Sequence, residues 1–307
     1  MRIRVIGAGI VGSACALRCA QAGHEIEIVA EATTDLTTSA IAAALWYPYR
    51  ALPEVAVTRW AGIGYAVLAD LAAEAASGVD LRTGRQLFRV PTPDPWWIDA
   101  APPLNRLAAD ALPDGYVDGL ELTVPVVDMP VHLRWLTDQL RRSDVTFTFA
   151  HLDTLEQATP GVDLVINCSG LGARALARDD SLYPVRGQVV LVRQLGVRQW
   201  LLDESDPSNL TYIVPRRDTV VLGGTALEGD ADERVRAETA ADILQRAISL
   251  MPALAGAEVL AHRVGLRPAR PSVRLEREGD VVHCYGHGGA GVTLAYGCAQ
   301  DVADLLA

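Results

Sequence analysis

The spacing of apolar and polar residues predicts a strand, a helix and a second strand at the start of the chain. Residues 2–6 are typical of a short buried strand, residues 11–17 place apolar side chains at helical spacing, and residues 25–30 are typical of a second strand. Gly23 separates the helix from the second strand, as expected at a helix C-terminus. This order predicts two parallel strands joined by a helical crossover.

Further along the chain, helical and strand patterns continue to alternate. They predict helices over 58–76, 131–141, 231–250 and 293–306, strands over 81–90, 120–127, 145–149, 162–168, 188–193, 264–274 and 281–285, and a hairpin of strands 210–215 and 219–222, with loop and short helix over 91–113. Strands typical of a parallel sheet recur in separate stretches of the chain. Two domains that are interleaved along the sequence therefore fit better than two domains that follow one another. We expect an α/β fold in which a Rossmann-like dinucleotide-binding domain (1–52, 131–182 and 262–307) is interleaved with a mainly antiparallel α+β substrate domain (53–130 and 183–261).

Composition narrows the class of partner. The 307 residues carry a formal net charge of −11, and 50% of them are hydrophobic. This balance argues against nucleic acid and anionic membranes as partners, because both need a basic face. No apolar run reaches the roughly 20 residues that span a bilayer. The five cysteines are scattered and odd in number, which predicts reduced thiols in a cytoplasmic protein, without disulfides or a metal site.

The turn between the first strand and the first helix has the spacing G-x-G-x-x-G, formed by Gly7, Gly9 and Gly12. Gly7 permits the tight turn, Gly9 lets a pyrophosphate approach bare backbone, and Gly12 lets the helix pack closely on the strand. Glu31, at the end of the second strand, is placed to accept hydrogen bonds from an adenosine ribose. An adenine dinucleotide is therefore predicted to contact Gly7, Ala8, Gly9, Ile10, Val11, Gly12 and Glu31. The alternative is a glycine-rich turn in an ordinary α/β domain.

A second glycine-rich turn, residues 286–291, lies between strand 281–285 and helix 293–306. A second helix N-terminus preceded by bare backbone offers N–H groups to an electron-rich ligand, such as the oxygens of an isoalloxazine ring. A simple NAD-dependent enzyme has no obvious need for this second site, whereas a flavoenzyme does. The alternative is a tight turn that needs glycine only for its backbone conformation.

Seven motifs in chain order carry a resemblance to a known family. They are Gly7-x-Gly9-x-x-Gly12, residues 36–39 with 42–46, residues 165–170, Arg186-Gly187-Gln188, residues 212–215, residues 265–271, and residues 283–291 followed by Gly297-Cys298-Ala299. They extend over essentially the whole chain, and the last resembles the C-terminal signature of D-amino-acid oxidases. The resemblance implies FAD as the cofactor and oxidative deamination of D-amino acids by oxygen, with hydride passing from the substrate Cα to flavin N5. The products would be a 2-oxo acid, ammonia and hydrogen peroxide.

The resemblance also implies roles for individual residues. Arg267 would bind the substrate carboxylate with help from the Tyr212 hydroxyl, and the Gly289 carbonyl would accept a hydrogen bond from the substrate amine. A guanidinium in stiff, extended chain suits a bidentate carboxylate contact. The alternatives are a structural salt bridge for Arg267 and a core position for Tyr212. Further residues expected at the cofactor are Thr37, Thr38, Ser39, Ala43, Ala44, Leu45, Ser169, Gly170, Gly288, Gly289, Ala290, Gly291, Val292 and Thr293.

No side chain is expected to act as a catalytic acid or base. Holding the substrate Cα over the flavin with a neutral amine can do most of the chemistry. His283 and His287 are therefore interpreted as packing or hydrogen-bonding elements. Arg186, Arg270 and Arg274 are left open between loop anchoring and cofactor contact.

Two positions depart from the family pattern. Ser208 stands where mammalian members carry a lid tyrosine, which predicts an open entrance. Ala226 stands where members that act on acidic substrates carry an arginine, which favours neutral or apolar D-amino acids. Because Arg216 and Arg217 lie nearby in sequence, a D-aspartate oxidase stays an alternative. The others are a glycine or sarcosine oxidase-like flavoenzyme, an NAD-linked enzyme and a dinucleotide-binding module without catalysis. The expected partners are the substrate and O2, and a homodimer is left open.

Overall fold

The computed structural model describes residues 1–48, 50–208 and 210–306. The strands are β1 (Arg2–Ile6), β2 (Glu25–Ala30), β3 (Val79–Phe88), β4 (Asn105–Arg106), β5 (Asp118–Val127), β6 (Thr146–Phe149), β7 (Leu164–Asn167), β8 (Tyr183–Arg193), β9 (Trp200–Asp203), β10 (Thr211–Pro215), β11 (Thr219–Gly223), β12 (Leu227–Glu228), β13 (Val259–Glu278) and β14 (Val281–His287). The helices are α1 (Ile10–Gln21), α2 (Thr38–Ile41), α3 (Glu54–Leu71), α4 (Met129–Arg142), α5 (Ala173–Leu176), α6 (Ala237–Leu250) and α7 (Gly291–Asp304). Within these described ranges the strands form a 14-stranded sheet. No helix in the same ranges is long and apolar enough to cross a membrane.

Five strands at one end of the sheet are parallel. β1 pairs with β2 and β7, β6 flanks β2, and β14 flanks β7. β7 is buried along its whole length, as expected of a parallel strand covered on both faces. Because parallel strands end at the same edge, the turns after β1, β7 and β14 lie side by side.

The other end of the sheet is antiparallel, apart from the pairing of β3 with β9. β13 joins the two ends, since its first part pairs with β8 and its last part with β14. Ala269 has a partner on each side, Tyr183 in β8 and His287 in β14. Arg267 therefore lies two residues before the point where β13 changes neighbours.

α3 packs closely against α7. A Cβ at Gly64 would collide with the Thr293 carbonyl, and a Cβ at Gly297 would collide with the Trp60 backbone. The Trp60 indole also donates a hydrogen bond of 2.7 Å to Asp301 of α7. α3, which the sequence analysis assigns to the substrate domain, thus rests on a helix assigned to the dinucleotide-binding domain. The division into two discontinuous domains stays a prediction.

All four predicted helices have somewhat different bounds in the structure, and α3 and α6 differ most from the prediction. α3 begins directly after Pro53 and ends at Leu71, whose carbonyl accepts the Ser77 hydroxyl at 2.7 Å. α6 begins at residue 237 because the Arg186 guanidinium binds the carbonyls of Asp232 and Arg234, at 2.7 Å each, and so holds that segment outside the helix. β8 and β13 extend beyond the predicted strands because they pair with each other, and the short strands β4, β9 and β12 were not predicted.

Candidate active site

A cavity of about 670 Å³ lies where the two ends of the sheet meet. Its wall contains the turns after β1, β7 and β14, the segment around α2, and side chains near β9, β10 and β13. The volume is within the range of sites that bind small molecules and cofactors. The parallel strands therefore supply one part of the wall and the antiparallel strands the other.

The turn after β1 is built from backbone alone. Gly7 has a φ of +102°, and a Cβ there would stand 2.6 Å from the Cys168 carbonyl oxygen, while a Cβ at Gly12 would collide with the Gly7 carbonyl. At Gly9 a Cβ would meet only the Ser39 hydroxyl, at 3.1 Å, so this position faces the cavity. Gly9 also caps α1 without a side-chain hydrogen bond, which leaves the amides of Val11 and Gly12 in the first turn available to a ligand in the cavity.

The segment around α2 connects this turn to β13. Ser39 accepts a hydrogen bond of 3.0 Å from the Ile10 N–H, and the Thr38 hydroxyl donates to the Leu266 carbonyl at 3.2 Å. The cavity wall includes Thr37, Thr38, Ser39, Ala43, Ala44, Leu45, Ser169 and Gly170, all predicted at the cofactor. Their contacts with a cofactor stay predictions.

Glu31 lies at the end of the cavity formed by β2 and β6. It accepts a hydrogen bond of 2.7 Å from His151, and both side chains are largely exposed. This hydrogen bond raises the pKa of the His151 imidazole. The sequence analysis did not single out His151, because its closeness to Glu31 follows from the parallel pairing of Ala30 with Phe149 and not from a local motif.

The turn after β14 brings a second helix N-terminus to the same cavity. The Gly288 N–H donates to the Pro268 carbonyl at 2.8 Å, and Gly288, Gly289, Gly291 and Val292 lie on the wall. Two predicted residues do not lie there. Ala290 is fully buried beneath the turn, and the Thr293 hydroxyl is bonded to the N–H and the carbonyl of Tyr47, at 3.0 Å each. Both residues therefore contact other parts of the protein and do not line the cavity.

Arg267 projects over the backbone of the neighbouring strand β8. A Cβ at Gly187 would stand only 2.5 Å from both terminal nitrogens of the guanidinium, so glycine is what leaves room for it. Nη1 donates to the Thr225 carbonyl at 2.9 Å. Among the described residues, no carboxylate forms an ion pair with Arg267. The alternative of a structural salt bridge therefore finds no support in these contacts.

Tyr212, like Arg267, lies over a glycine of a neighbouring strand. Its ring lies over Gly223, its partner residue in β11, where any Cβ would collide with the ring. Burial raises the pKa of the Tyr212 hydroxyl, against the effect of its hydrogen bond with Arg267. Tyr212 is thus both a buried residue and part of the cavity wall. A fixed guanidinium beside a neutral phenol can bind a carboxylate through several hydrogen bonds.

A carboxylate that sequence reasoning missed lies on the same wall. Glu204 Oε2 accepts hydrogen bonds from the Tyr47 hydroxyl at 2.6 Å and from Gln86 at 3.1 Å. Burial raises the pKa of Glu204, although the Tyr47 hydrogen bond acts in the opposite direction. A polar residue in the middle of the buried face of β3, Gln86, is the one sequence signal of this arrangement.

The arginines whose roles the sequence left open form contacts with other residues of the protein. Arg270 pairs with Asp179 at 2.9 Å, and Arg274 donates to the Tyr285 hydroxyl at 2.8 Å. Arg186 holds the segment before α6, and the buried Arg216 donates to the Ala42 carbonyl at 2.6 Å. None of these four guanidinium groups lies on the wall of the cavity that the described residues form.

The cysteines, scattered in sequence, come together in the fold. The sulfur atoms of Cys15, Cys168 and Cys284 lie within 4.8 Å of one another, and Cys284, Cys298 and His287 form a second such group. All of them are buried, and the four cysteines are also part of the apolar core. The expectation that the chain holds no metal stays a prediction.

The residues on the wall fit FAD. Bare backbone at two helix N-termini opens to one cavity, and the collisions at Gly7 and Gly12 show that neither turn position accepts a side chain. The turn after β1 suits a pyrophosphate, Glu31 suits a ribose, and the turn before α7 suits the electron-rich edge of a flavin. Arg267 lies on the wall of the same cavity as these groups.

Comparison with known proteins agrees with this site. The family model described as FAD dependent oxidoreductase matches residues 2–305. The chain is 45% identical to a D-amino-acid oxidase of Rubrobacter xylanophilus, over 99% of this chain and 95% of that protein. It is 36% identical to the human D-aspartate oxidase, over 99% of this chain and 94% of that protein. A glycine oxidase structure from Geobacillus kaustophilus superposes with a TM-score of 0.83 at 20% identity, covering 99% of this chain and 94% of that one, which shows a shared fold. The chain therefore belongs to the FAD-dependent oxidoreductase family.

Proposed function

We propose that the protein is a D-amino-acid oxidase, which converts neutral or apolar D-amino acids to 2-oxo acids, ammonia and hydrogen peroxide. The observation that carries the proposal is the Arg267 guanidinium, seated over Gly187 beside Tyr212 and facing the cavity that fits FAD. An amino-acid substrate always presents a carboxylate, and this guanidinium is not neutralised by a carboxylate of the described chain. Bound FAD supplies the acceptor for the hydride that leaves the substrate Cα and passes the electrons on to oxygen.

The residues of the chain act by positioning. The Arg267 guanidinium binds the substrate carboxylate as a fork, and the Tyr212 hydroxyl adds a hydrogen bond to it. The carbonyl of Gly289, on the cavity wall before α7, accepts from the substrate amine and, together with the carboxylate contact, turns the single hydrogen on Cα toward the cofactor. Fixed orientation of this kind supplies a large part of the rate of a two-reactant step.

No histidine serves as a general base in this proposal. His283 is buried and contacts Glu278 and Asn167 at 3.4 Å each, and His287 is buried against Cys284. The imino acid released from the site is hydrolysed by water. We also propose a cytoplasmic location, on the buried free thiols of all five cysteines, and leave the oligomeric state to measurement.

The alternative of a D-aspartate oxidase is less favoured by the charges of the wall. Ala226 is buried outside the cavity, while Glu204 and Glu233 line it. An acidic substrate side chain would meet these carboxylates, and Arg267 is the one arginine among the described residues of the wall. A kcat/KM for D-aspartate above those for D-alanine, D-valine and D-methionine would overturn this preference.

An anaerobic experiment tests the proposal. The purified FAD-loaded protein is mixed with a panel of D-amino acids, their L-enantiomers, glycine and sarcosine, and the flavin absorbance near 450 nm is followed. We expect bleaching with D-alanine, D-valine and D-methionine and none with the L-enantiomers, and peroxide release from the same substrates in air. Bleaching by glycine or sarcosine alone would favour the glycine oxidase-like alternative. A protein that takes up FAD but is reduced by no amine would reject the proposal.

A further inference from the structure

The connection between β11 and β12 contains one residue more than the part of β8 that faces it. Gly223 at its start pairs with Val189, and Leu227 at its end pairs with Arg186. Three residues of the connection therefore lie opposite two residues of β8, as in a β-bulge. Such an extra residue interrupts the backbone ladder, so the peptide groups of β8 at this point need another partner.

The hydroxyl of Thr225, in the middle of this connection, is that partner. It accepts a hydrogen bond of 3.0 Å from the Gln188 N–H and donates to the Arg186 carbonyl at 3.5 Å. All three residues are buried. The two bonded groups belong to the two peptide bonds that flank Gly187. One hydroxyl thus holds the backbone on both sides of the glycine that lies beneath Arg267.

The backbone carbonyl of Thr225 holds the guanidinium itself. Arg267 belongs to β13, on the other side of β8, where its partner is Val185. Its guanidinium crosses β8 above Gly187 and donates through Nη1 to the Thr225 carbonyl at 2.9 Å. Neighbouring strands lie about 4.8 Å apart, a distance that an arginine side chain spans. Thr225 therefore bonds the guanidinium through its main chain and the backbone beneath the guanidinium through its side chain.

Thr225 has no direct access to a ligand. The part of the cavity wall that the structure describes does not include it, and its side chain is buried. Other threonines bond locally, as Thr137 does with the Leu133 carbonyl one turn earlier in α4, at 2.7 Å. The partners of Thr225 lie instead on two other strands, and both sets of contacts converge on Arg267. Any effect of this residue on a bound carboxylate must pass through that guanidinium.

We propose that Thr225 is a positioning residue for the substrate, which acts by fixing the Arg267 guanidinium above Gly187. This inference rests on the proposed function, in which Arg267 binds the substrate carboxylate. The Thr225 carbonyl uses an N–H of Nη1, and the other N–H groups of the guanidinium are left for the carboxylate and the Tyr212 hydroxyl. A carboxylate bound by two parallel hydrogen bonds needs the guanidinium in one orientation.

Substitution of Thr225 by Val removes the hydroxyl and keeps the shape of the side chain. The buried Gln188 N–H then loses its acceptor, so β8 and the connection no longer hold each other in register. The Kd of pentanoate, a carboxylate probe, is measured from the perturbation of the flavin spectrum in the FAD-loaded protein. We expect this Kd and KM for D-methionine to rise at least tenfold in Thr225→Val. The rate of anaerobic flavin reduction at saturating D-methionine should change less than threefold, because lost uniform binding raises KM and spares kcat.

Two further variants separate positioning from stability. Thr225→Ser keeps the hydroxyl and should bind pentanoate within threefold of the wild type. Thr225→Ala lacks the hydroxyl in a smaller side chain and repeats the test if Thr225→Val does not fold. Thr137→Val, which loses a buried hydrogen bond within α4, is the matched control and should leave the Kd of pentanoate unchanged. The Kd for FAD should stay within twofold of the wild type in all four variants.

The outcomes distinguish this inference from the proposed function. A role in stability alone would lower the urea midpoint of Thr225→Val and leave the Kd of pentanoate at the wild-type value, which would overturn the inference. An equal rise of that Kd in Thr225→Val and Thr225→Ser would overturn it as well, because the hydroxyl would then not matter. A wild type that is reduced by D-methionine keeps the proposed function in either case. A wild type that binds no pentanoate and is reduced by none of the D-amino acids would instead reject the proposed function.

Discussion

The two ends of the cavity are built in opposite ways. At the cofactor end, the wall is mostly backbone of short consecutive stretches, such as Gly7 to Gly12, placed together because parallel strands end at one edge. At the substrate end, the wall consists largely of side chains from several separate strands, among them β8, β9, β10 and β13, and Arg267 and Tyr212 lie over glycines of neighbouring strands. The first kind of site depends on a local motif. The second depends on sheet register, which only the folded chain displays.

The largest effect is expected at the substrate end, in Arg267→Lys. Lysine keeps the charge but loses the fork that binds both carboxylate oxygens. Loss of two charge-assisted hydrogen bonds, each about 1.5–3 kcal/mol, should lower kcat/KM for D-methionine about a thousandfold. FAD content should stay that of the wild type, because the Arg267 side chain contacts Thr225 and Gly187 and the backbone that supports the glycine turns is unchanged. Arg217→Lys, at the exposed end of the hairpin, is the control and should behave as the wild type. Comparable activity of the two variants would contradict the assignment.

The glycine beneath Arg267 gives the next largest effect. In Gly187→Ala the new Cβ would stand 2.5 Å from the guanidinium nitrogens, so the group must shift by about an ångström. A displacement of that size at a positioning group costs roughly a hundredfold in kcat/KM. Gly62→Ala is the control, because a Cβ there makes an ordinary contact of 3.8 Å with Ala100. A wild-type kcat/KM in Gly187→Ala would mean that catalysis does not depend on glycine beneath the Arg267 guanidinium.

These two variants also show what the sequence could and could not predict. Gly7, Gly9 and Gly12 have a spacing with one common meaning, so the cofactor end was predictable from a few consecutive residues. The positions of Arg267 and Tyr212 were predictable only through the family resemblance. That Gly187 and Gly223 lie beneath them follows from the pairing of β8 with β13 and of β10 with β11.

Other features had little local signal in the sequence. Glu204 meets Gln86 and Tyr47 because β9 lies beside β3, a parallel pair within an otherwise antiparallel region. The start of α6 was predicted too early because the pattern of apolar residues does not show that Arg186 binds the preceding carbonyls. In both places, contacts distant in sequence override the local pattern.

The contacts of Asp179 with β13 and β14 are expected to stabilise the fold where the parallel and antiparallel parts of the sheet meet. Asp179 is paired with Arg270 of β13 and accepts the Tyr285 hydroxyl of β14 at 2.9 Å. Burial opposes the charge, but hydrogen bonds from Ser181, Tyr285 and Arg270 lower the pKa of Asp179 to about 2. A lowered folded pKa stabilises the protein above the unfolded pKa of about 4, and this stabilisation is lost as the pH falls through 2.

Asp179→Asn should therefore reduce the free energy of unfolding by about 2 kcal/mol at pH 7, measured by urea denaturation. The difference between the variant and the wild type should shrink as the pH is lowered from 4 to 2. A constant difference over that range would show that the charge of Asp179 is not the stabilising element.

The cofactor end is tested by Gly9→Ala, with a smaller effect. A Cβ at Gly9 meets only the Ser39 hydroxyl, at 3.1 Å, so the FAD-free protein should keep its thermal stability. The added methyl group faces the cavity where a phosphate would approach the backbone, and the Kd for FAD should rise about tenfold, which is roughly 1.4 kcal/mol. Once FAD is saturating, KM for D-methionine should not change. A raised KM with an unchanged Kd for FAD would contradict the assignment of Gly9 to the cofactor end of the cavity.

The smallest effect concerns the connection between β9 and β10, next to Glu204 and Leu210 on the wall. The family resemblance implies that Ser208 stands where mammalian members carry a lid tyrosine, and the Ser208 carbonyl accepts the Ala226 N–H at 3.2 Å. Because this connection is short, we expect product release that no lid limits. Grafting a longer, tyrosine-bearing segment should lower kcat about threefold while the rate of anaerobic flavin reduction stays constant, since closure slows release and not chemistry. The same graft with serine in place of tyrosine controls for loop length. Unchanged or faster turnover with the tyrosine graft would show that release is already limited elsewhere, and the substrate end would then resemble its mammalian relatives more than its sequence suggests.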